Sequence, residues 1–575
     1  MPGFSLFYNT SSKLRKTGNL VYDEIGGANF QVHRHTLNKF ISDKLFEENE
    51  KGIIVLEGII LNQRDLLKEH ANRSWWEVVW HLYDKNGDGF FSIFRGSFSG
   101  MLYDRAKDKW IIFTDHIGTK QLYYYQYEKK LALSSEIGEI YHYLTQHQIT
   151  PNLNVNAAYM LLSYGYMLDT NTLCKQIKKL LPGTYAVLQG GSLETHEYYR
   201  LPKSFIDKNF DETGLVERLD EEFRRVIRLQ FEKDKEYNYK HFVSLSGGLD
   251  SRMVSWVAHE LGYTNQINFT FSQSDYLDET TPKKIAADLK HQWIFKALDN
   301  GLFLKDIEEI NLITGGNVLY YGLAHSNSLY KLINFDQLGI IHSGQVGEAI
   351  IGSILKNFNK KSLLKLGGAY SERFIDHVQT DPVQFAGFPE LEISLLYQRA
   401  FIGANNGYLS EQAYTEILSP FCDVDFFEFC LSIPINIRIN HGIYKKWILK
   451  KYPAAGNYVW EAIKRKISKK IIHVAIGDKK IPIDRLHSSV LRKLNLRKKP
   501  SQTRHNMNPL DYWYASNNEL RCFLDKYFVV NQERLDSYPE LRAVCQKLYG
   551  SGSATEKTQA LTLVSAIKLY SSNKC

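Results

Sequence analysis

The sequence lacks the features that mark several classes of protein. Its six cysteines among 575 residues include no Cys-x-x-Cys pair, which argues against a zinc ribbon and against a disulfide framework. No apolar run approaches the roughly 20 residues that cross a bilayer, and the first residues show neither the basic nor the apolar region of a signal peptide. These absences predict a cytoplasmic protein without a membrane partner.

Proline and excess charge are also scarce. The chain has 14 prolines, which leaves little room for long unstructured linkers. A formal net charge of +8 is small for this length and implies no nucleic-acid partner by itself. The abundant residues are apolar and aromatic, at 44% and 13% of the sequence. This composition and length predict two to four globular domains with large cores.

The most informative stretch runs from Ser244 to Arg252. It joins a predicted strand at 241–245 to a predicted helix that stops at Gly262. Glycines at a strand-to-helix junction let backbone N–H groups approach an oxyanion, and the helix N-terminus adds a partial positive charge. The stretch therefore predicts a phosphate-binding loop with contacts from Ser246, Gly247, Gly248, Leu249, Asp250 and Ser251.

Asp250 indicates the chemistry of this loop. A carboxylate beside a phosphate repels it unless a divalent cation lies between them, so Asp250 predicts a Mg²⁺ contact. The loop lacks the Gly-Lys-Ser/Thr ending of a Walker A motif, whose lysine serves transfer of the terminal phosphate. It resembles instead the Ser-Gly-Gly-x-Asp-Ser loop of enzymes that cleave ATP to AMP and pyrophosphate, and specifically that of the asparagine synthetase family.

The first 200 residues resemble the glutaminase domain of the same family. Their pattern is rich in strands, and the resemblance implies an α+β sandwich of the N-terminal-nucleophile type. The pieces that carry the resemblance keep the family's order and spacing, at 57–62, 95–100, 103–104, 115–124, 134–136 and 181–184.

Two residues depart from that resemblance at the glutaminase site itself. The family has a nucleophilic cysteine after the initiator methionine, where this chain has Pro2, and proline has no nucleophilic side chain. Glu57 stands where the family has an asparagine that stabilises the oxyanion, so a donor has become an acceptor or an anion. We expect a domain without glutaminase activity, kept for structure or for closing the second active site.

Two apparent metal sites have simpler interpretations. The run 84–89 matches the opening of an EF-hand loop, but its twelfth position is Arg95 in place of a glutamate, so we expect a turn and no calcium. His33 and His35 alternate on a predicted strand without a cysteine or carboxylate cluster nearby in the sequence. We interpret them as surface histidines.

Strands and helices alternate after a polar segment at 201–214, which predicts a domain boundary. A second strand is predicted at 267–271, a helix at 278–289 and a third strand at 338–342. This rhythm predicts a parallel sheet, with the ligand beyond the carboxyl ends of the strands. The resemblance places an adenosine contact at Phe271.

The run 343–352 resembles the family's second nucleotide motif, Ser-Gly-x-Gly-x-Asp-Glu-x-x-Gly-Gly. Ser343 and Gly344 match it, and Glu348 replaces the aspartate that holds pyrophosphate and Mg²⁺. Gln345 does not match, because asparagine synthetases have there a glutamate thought to take a proton from the attacking amine. A neutral amide cannot act as that base. Either another group does so or the nucleophile is different.

The chain beyond about Ser353 is helix-rich and basic, with a further basic run at 491–499. Lys466, in the run 464–466, falls where the family carries a lysine that stabilises charge on the adenylate and pyrophosphate. A solvated basic face is the alternative interpretation of that run.

These features together predict three regions. A degenerate glutamine-amidotransferase-like domain covers 1–200, and an α/β domain with the ATP-pyrophosphatase loop covers 210–470. Residues 471–575 form a helical C-terminal extension of the second domain.

The resemblance implies an ATP-dependent ligase that joins a small-molecule or peptide carboxylate to an amine or ammonia through an acyl-adenylate. ATP and Mg²⁺ are the expected cofactors. Lys466 and Glu348 are the expected catalytic residues, and Asp250 and Glu348 the expected metal ligands. No nucleic-acid partner is expected, and the oligomeric state stays open.

Other functions stay open at this point. The chain also fits an ammonia-dependent asparagine synthetase, or a ligase like the β-lactam synthetases and lasso-peptide cyclases, which likewise have a disabled glutaminase domain. A tRNA-modifying enzyme suits the basic second half but not the glutaminase-like domain. Pro2, Gln345 and Ala349 leave room for a non-catalytic scaffold.

Overall fold

The structure is a computed structural model, and it describes residues 2–16, 18, 20–355, 368–380, 388–469, 473–476, 479–482 and 502–570. None of the helices in these ranges has the length and apolar character needed to span a membrane. The basic run at 491–499 lies outside the described residues.

Two six-stranded antiparallel sheets make up the first part of the chain. Their orders are β10-β8-β9-β1-β3-β2 and β12-β11-β7-β6-β5-β4. The strands are β1 Gly3–Tyr8, β2 Val21–Gly26, β3 Phe30–Thr36, β4 Leu45–Glu48, β5 Gly52–Ile60, β6 Gly96–Asp104, β7 Lys109–Thr114, β8 Tyr123–Tyr127, β9 Lys130–Ser134, β10 Lys178–Lys179, β11 Thr184–Gln189 and β12 Ser192–Glu197.

Four helices pack beside these sheets. The alternation of side chains along each strand determines which residues face the other sheet and which face the helices. Ile53 and Val55 of β5 point into the core between the two sheets, where they meet Phe4 of β1. Ile54, between them, points the other way and packs with Trp75 of the second helix. Successive strand residues face opposite sides, so β5 is covered on both faces, and its residues are apolar or glycine except for Glu57. The helices are α1 Gln63–Glu69, α2 Trp75–Asn86, α3 Ile137–Gln146 and α4 Val155–Tyr164.

The two antiparallel sheets with helices packed beside them agree with the α+β sandwich expected for the first domain. The run 84–89, expected to form a turn, ends α2 at Asn86 and begins a 3₁₀ helix at Gly87. The interpretation of His33 and His35 as surface residues is wrong, since their exposed fractions are 6% and 3%. Burial lowers the pKa of both imidazoles, that of His35 to about 4.

A five-stranded parallel sheet follows, with the order β15-β14-β13-β16-β17. The strand predicted third along the chain is the fourth, because the edge strand β15 escaped prediction. Its residues Gln292–Ala297 alternate between half-buried and exposed, so they lack the apolar run of a central strand. The strands are β13 Lys240–Ser244, β14 Gln266–Ser272, β15 Gln292–Ala297, β16 Leu338–His342 and β17 Ile417–Leu418.

Helices cover both faces of this sheet. Val243 of β13 packs with Phe223 and Met253 on one face, and Phe242 packs with Leu329 and Tyr408 on the other. The helices of this region are α5 Glu212–Glu236, α6 Asp250–Glu260, α7 Leu277–Asp288, α8 Ile307–Thr314, α9 Tyr321–Tyr330, α10 Gly347–Ile351, α11 Phe388–Leu395, α12 Tyr408–Glu411, α13 Val424–Ser432, α14 Ile435–Arg438 and α15 Gly442–Lys451. Two hairpins follow, β18 Val459–Trp460 with β19 Arg465–Lys466 and β20 His473–Ile476 with β21 Lys479–Pro482.

The last helices share one core with earlier parts of the chain. Apolar residues of the final helix pack with α4, α8 and α9, which places this helix beside both of the preceding regions. The final helix starts at a capping box between Ser553 and Glu556 and is buried along most of its length. These helices are α16 Leu510–Ser516, α17 Asn518–Asn531, α18 Pro539–Ser551 and α19 Ala554–Ala566.

Candidate active site

An open cleft of about 350 Å³ lies at the carboxyl ends of β13, β14 and β16. Since β13 lies between the other two strands and the connections diverge from it, this is the position where open parallel sheets bind ligands. The cleft brings together most of the predicted site residues, namely Ser246, Gly248, Leu249, Asp250, Ser251, Phe271, Ser343, Gly344 and Glu348.

Two serine hydroxyls organise the loop between β13 and α6. The Ser246 N–H donates to the Ser251 Oγ at 2.9 Å, and the two Oγ atoms are also 2.9 Å apart. The Gly248 N–H donates to the Ser246 Oγ at 3.2 Å. The hydroxyls therefore lie at the N-terminus of α6, where the helix dipole and free N–H groups favour an anion.

Gly247 is directed away from the cleft, unlike its neighbours. Its N–H donates to Oδ1 of Asp278 at 2.8 Å, and its carbonyl accepts from Arg252 at 3.1 Å and from the Glu461 N–H at 3.1 Å. A Cβ atom at this position would lie 2.9 Å from the Leu277 carbonyl oxygen. This glycine allows close packing, and the predicted phosphate contact of its N–H is absent from this geometry.

Lys466 lies apart from the other predicted site residues. It belongs to β19, which pairs with β18, and it is not among the residues that line the cleft. The buried Arg252 connects the same hairpin to the loop by donating to the Val459 carbonyl at 2.8 Å. Lys464, two residues earlier, has its Nζ 5.6 Å from the centre of the Tyr276 ring.

Asp250 and Glu348 meet in the cleft although they come from different motifs. The Glu348 N–H donates to Oδ2 of Asp250 at 2.8 Å, and the Tyr444 hydroxyl donates to Oδ1 at 2.9 Å. Burial, and then the Glu348 charge, raise the pKa of Asp250 well above its usual range. Burial, with the charge of Glu461, also raises the pKa of Glu348.

The charge balance of this pair suits a divalent cation. Among the ion pairs of the described residues, the nearest basic group to either carboxylate is His441, whose Nε2 is 3.9 Å from Oε2 of Glu348, and burial lowers the pKa of this imidazole. Two neighbouring carboxylates without a lysine or arginine partner repel each other. Carboxylate oxygens are also the ligands that Mg²⁺ prefers. Asp250 and Glu348 therefore fit the role of metal ligands.

Small residues let the segment before α10 approach the loop. A Cβ atom at Gly344 would lie 2.4 Å from the Ser251 nitrogen, and one at Gly347 would lie 2.5 Å from Cγ of Asp250. Between them, Val346 has φ 60° and ψ 7°, a left-handed conformation that is unfavourable for a β-branched residue. The contact of the two motifs therefore includes local backbone strain.

Gln345 connects the cleft to the first part of the chain. Its Nε2 donates to Oδ1 of Asn405 at 3.3 Å, and its carbonyl accepts from the Ser419 hydroxyl at 2.9 Å. Asn405 in turn donates to the Ile117 carbonyl at 2.9 Å. The Gln345 amide therefore connects the cleft to the first domain through Asn405. It cannot act as a general base, because a neutral amide is too weakly basic.

The cleft also contains residues of α9 and α12 that the sequence does not predict, among them His325 and Glu411. The His325 ring lies 4.8 Å from the Phe271 ring at an interplanar angle of 29°, and burial lowers its pKa to about 4. Glu411 also lines the cleft, and its Oε1 accepts from the Tyr330 hydroxyl at 3.4 Å. No local pattern could identify either residue, because only the fold places these helices at the strand ends.

The predicted glutaminase position holds a buried charge network, defined as Lys44, Glu57, Lys120 and Glu416. Lys44 Nζ lies 3.4 Å from Glu57 Oε2 and 3.7 Å from Glu416 Oε1. Lys120 Nζ lies 2.6 Å from Glu416 Oε2. Thr36 donates to Glu57 at 2.9 Å. The side chains of all four charged residues are no more than 7% exposed.

The buried charge network joins the first domain to the parallel sheet. Burial raises the pKa of Glu57, whereas Lys120 and Lys44 lower that of Glu416 against the effect of burial. Glu416 immediately precedes β17, and its carbonyl accepts from the Ile341 N–H of β16 at 2.9 Å. Glu57 thus belongs to a structural network, and Pro2, which immediately precedes β1, is buried.

A second cluster of metal-binding residue types is already hydrogen-bonded. Asp234, His241 and His342 place their ligand atoms within 4.8 Å of one another. Oδ2 of Asp234 accepts from His241 Nδ1 at 2.9 Å and from His342 Nε2 at 2.8 Å. The carboxylate thereby connects α5 to β13 and β16, and the cluster is a structural one.

Comparison with known proteins matches two separate parts of this chain. The model of the glutamine amidotransferase domain matches residues 35–199, and that of asparagine synthase matches residues 409–525. Neither match includes Pro2 or the 246–251 loop. Glu411 and the segment leading to β17 lie inside the second.

Similar proteins were found among fungal, archaeal and bacterial sequences. "Amidase chry2" from Gibberella zeae is 28% identical over 188 residues, which are 32% of this chain and 26% of that protein. "Putative asparagine synthetase [glutamine-hydrolyzing] 2" from Methanocaldococcus jannaschii is 24% identical over 53% of this chain and 60% of its own length. "Asparagine synthetase [glutamine-hydrolyzing] 2" from Bacillus subtilis is 25% identical over 40% and 33%. The chain thus matches between about a quarter and three fifths of these relatives' lengths.

Proposed function

The chain belongs to the asparagine synthetase family, and we propose that it is an ATP-dependent carbon–nitrogen ligase that activates a carboxylate as an acyl-adenylate. The observation that carries this proposal is the meeting of the 246–251 loop with Glu348 in one cleft at the switch point of the parallel sheet. Such a cleft suits a nucleotide whose phosphates lie at a helix N-terminus.

The carboxylate substrate must be activated before it can form an amide, because a carboxylate is a poor acyl donor at neutral pH. A carboxylate oxygen would attack the α-phosphorus of ATP and pyrophosphate would leave. An amine would then attack the acyl carbon and displace AMP. In this scheme Ser246 and Ser251 hold pyrophosphate oxygens by their hydroxyls at the start of α6, and Ser343 and Gly344 contact the nucleoside beside Phe271.

Mg²⁺ fits this scheme through Asp250 and Glu348. When bound, the cation would neutralise charge on the departing pyrophosphate. The protein's own contribution is to hold the two carboxylates together, through the Glu348 N–H and the Tyr444 hydroxyl. Lys466 keeps its proposed role of stabilising phosphate charge, which requires its hairpin to approach the cleft when the substrates bind.

The acyl acceptor is proposed to be an amine on a substrate larger than ammonia. The N-terminal domain supplies no nucleophilic cysteine, and the buried charge network occupies the predicted position of its oxyanion site. Ammonia from glutamine is therefore not a proposed nitrogen source. An ammonia-dependent asparagine synthetase is the alternative, and it is favoured if free ammonium at millimolar concentration saturates the reaction.

Product analysis tests the proposed function. The protein is incubated with ATP, MgCl₂, hydroxylamine as an amine trap and a panel of amino acids and dicarboxylates, and the nucleotides are separated by chromatography. We expect AMP and pyrophosphate to appear with one class of carboxylate, together with its hydroxamate. ADP and phosphate would overturn the proposal. No carboxylate-dependent turnover at all would favour a non-catalytic scaffold.

A further inference from the structure

Glu411 is a buried carboxylate on the wall of the cleft. It is the last residue of α12, it is 9% exposed, and it lines the cleft together with Gln345. Gly407 lies one helical turn earlier, and a Cβ atom there would be 3.7 Å from Oε1 of Gln345. Because residues four apart share a helix face, Glu411 lies on the same side of the cleft as that amide.

The partners of Glu411 are neutral hydroxyl groups. Ser410 Oγ donates to its Oε2 at 3.0 Å, and the Tyr330 hydroxyl donates to its Oε1 at 3.4 Å. In the ion pairs of the described residues, Glu411 contacts no lysine, arginine or histidine. The carboxylate therefore has acceptor capacity that no fixed cation occupies.

Apart from the Tyr330 hydroxyl, the titratable groups around Glu411 do not stabilise its charge. On α9, His325 is neutral near pH 7 because burial lowers its pKa to about 4, and Tyr408 on α12 is an un-ionised phenol whose pKa burial raises. On α8, which also packs against α12, Glu309 forms an ion pair with Lys331, the residue that directly follows α9. Burial raises the pKa of Glu411 to about 7, which suits a group that accepts and returns a proton near neutral pH.

We propose that Glu411 is the general base that takes the proton from the ammonium form of the acceptor amine, the task that Gln345 cannot perform. This role rests on the proposed function. It follows from the position of Glu411 in the same cleft as the loop and from the absence of a carboxylate at position 345.

The proposed step involves only the bound ammonium group, Glu411 and the acyl-adenylate. One N–H bond of the bound ammonium breaks and its proton moves to a Glu411 oxygen. The freed nitrogen lone pair forms the C–N bond at the acyl carbon of the adenylate. The bond from that carbon to the phosphate oxygen breaks, and AMP leaves with the electron pair.

The test uses Glu411→Gln, with Glu260→Gln as the matched control on the exposed end of α6. Three rates are compared for each protein: ATP–pyrophosphate exchange, AMP release with a panel of primary alkylamines and diamines, and AMP release with hydroxylamine. Alkylamines are mostly protonated at neutral pH, whereas hydroxylamine is mostly unprotonated and needs no base before it attacks.

The proposal predicts a selective loss. Glu411→Gln should keep exchange and hydroxylamine turnover near the wild-type rates and lose at least about 100-fold in alkylamine turnover, and Glu260→Gln should change none of the three. Unchanged alkylamine turnover would overturn the proposal, and so would loss of exchange in a folded variant. If the wild-type protein shows no pyrophosphate exchange, the proposed function on which the inference rests is refuted. If the wild-type protein exchanges pyrophosphate but turns over none of the amines in the panel, only the role of Glu411 is refuted.

The wild-type pH profile tests the same role if the variant does not fold. The ratio of alkylamine turnover to exchange, both measured at the same pH, should rise with pH through about 7 and then level off. A rise that continues to the amine's own pKa near ~10 would show that the solvent, and not Glu411, removes the proton, and would overturn the proposal.

Discussion

The backbone N–H of Glu348 donates a 2.8 Å hydrogen bond to Oδ2 of Asp250, across 98 residues of sequence. The two acidic residues identified in separate motifs thus form one unit. The bond holds the carboxylates close together, and burial keeps the pKa of both above the usual range. The two carboxylates repel each other when no cation is present, and a bound divalent cation would offset this repulsion.

Asp250→Asn should abolish adenylation without unfolding the protein. The change removes one of the two anionic ligands and also the repulsion with Glu348, so we expect pyrophosphate exchange to fall by about 100-fold or more while Tm stays the same or rises. Asp65→Asn, on the exposed surface of α1, is the control and should change neither quantity. A folded Asp250→Asn protein that exchanges pyrophosphate at the wild-type rate would show that the loop is assigned wrongly.

Lys44→Met should strongly destabilise the protein. Removing the lysine takes away the cation that pairs directly with the buried Glu57, and such a change costs about 3 to 5 kcal/mol. Lys51→Met is the control, since its pair with Asp84 is exposed and worth about 1 kcal/mol at most. The double variant Lys44→Met/Glu57→Gln should recover much of the loss in denaturant unfolding. If Lys44→Met and Lys51→Met lower the free energy of unfolding by the same amount, the assignment of a stabilising role to the buried charge network is contradicted.

Asp278→Asn should stabilise the protein at pH 8 but not at pH 4. Burial, with the Glu461 charge, raises the pKa of Asp278 from 3.8 to about 6. A carboxylate whose pKa is higher in the folded state costs stability as pH rises from the unfolded to the folded value. Above pH 6 that cost is up to about 3 kcal/mol, and an asparagine oxygen can still accept from the Gly247 N–H. Thermal unfolding at the two pH values measures the difference, and a Tm gain that is the same at both would refute the assignment.

Glutamine should not be hydrolysed, and Pro2→Cys alone should not change this. The restored thiol would still face Glu57, which Lys44 and Thr36 hold as an acceptor and which cannot stabilise an oxyanion. Glutamate release is measured by an enzyme-coupled assay against a heat-inactivated control. Release at an enzyme-like rate from either protein would contradict a dead glutaminase site.

The sequence predicts the parts of the site that local patterns determine. The apolar run at 338–342 and the Gly-rich turn after Ser244 identify β16 and the loop before α6, because each depends on residues a few positions apart. The opposite holds for Glu411, which reaches the cleft only because α12 packs beneath the sheet.

Three further failures of the sequence prediction have the same physical origin. His33 is polar and alternates on a strand, so its sequence predicts exposure, yet the face it occupies is covered by the fold. Glu57 can be recognised as a departure from the family, but its partner Lys44 cannot, because the ion pair forms between neighbouring parts of a folded sheet. Gly247 fits a phosphate loop by pattern, whereas its N–H is taken by Asp278 from α7.

The most direct test of the account is ATP–pyrophosphate exchange by the purified protein with labelled pyrophosphate, Mg²⁺ and each candidate carboxylate in turn. Exchange requires a reversible adenylating site and no acceptor amine, so it tests the cleft formed by the 246–251 loop and Glu348 independently of Glu411 and Lys466. We predict exchange that depends on one class of carboxylate, on Mg²⁺ and on Asp250. Its absence with every carboxylate, in a protein that is folded and binds ATP, would contradict the central claim.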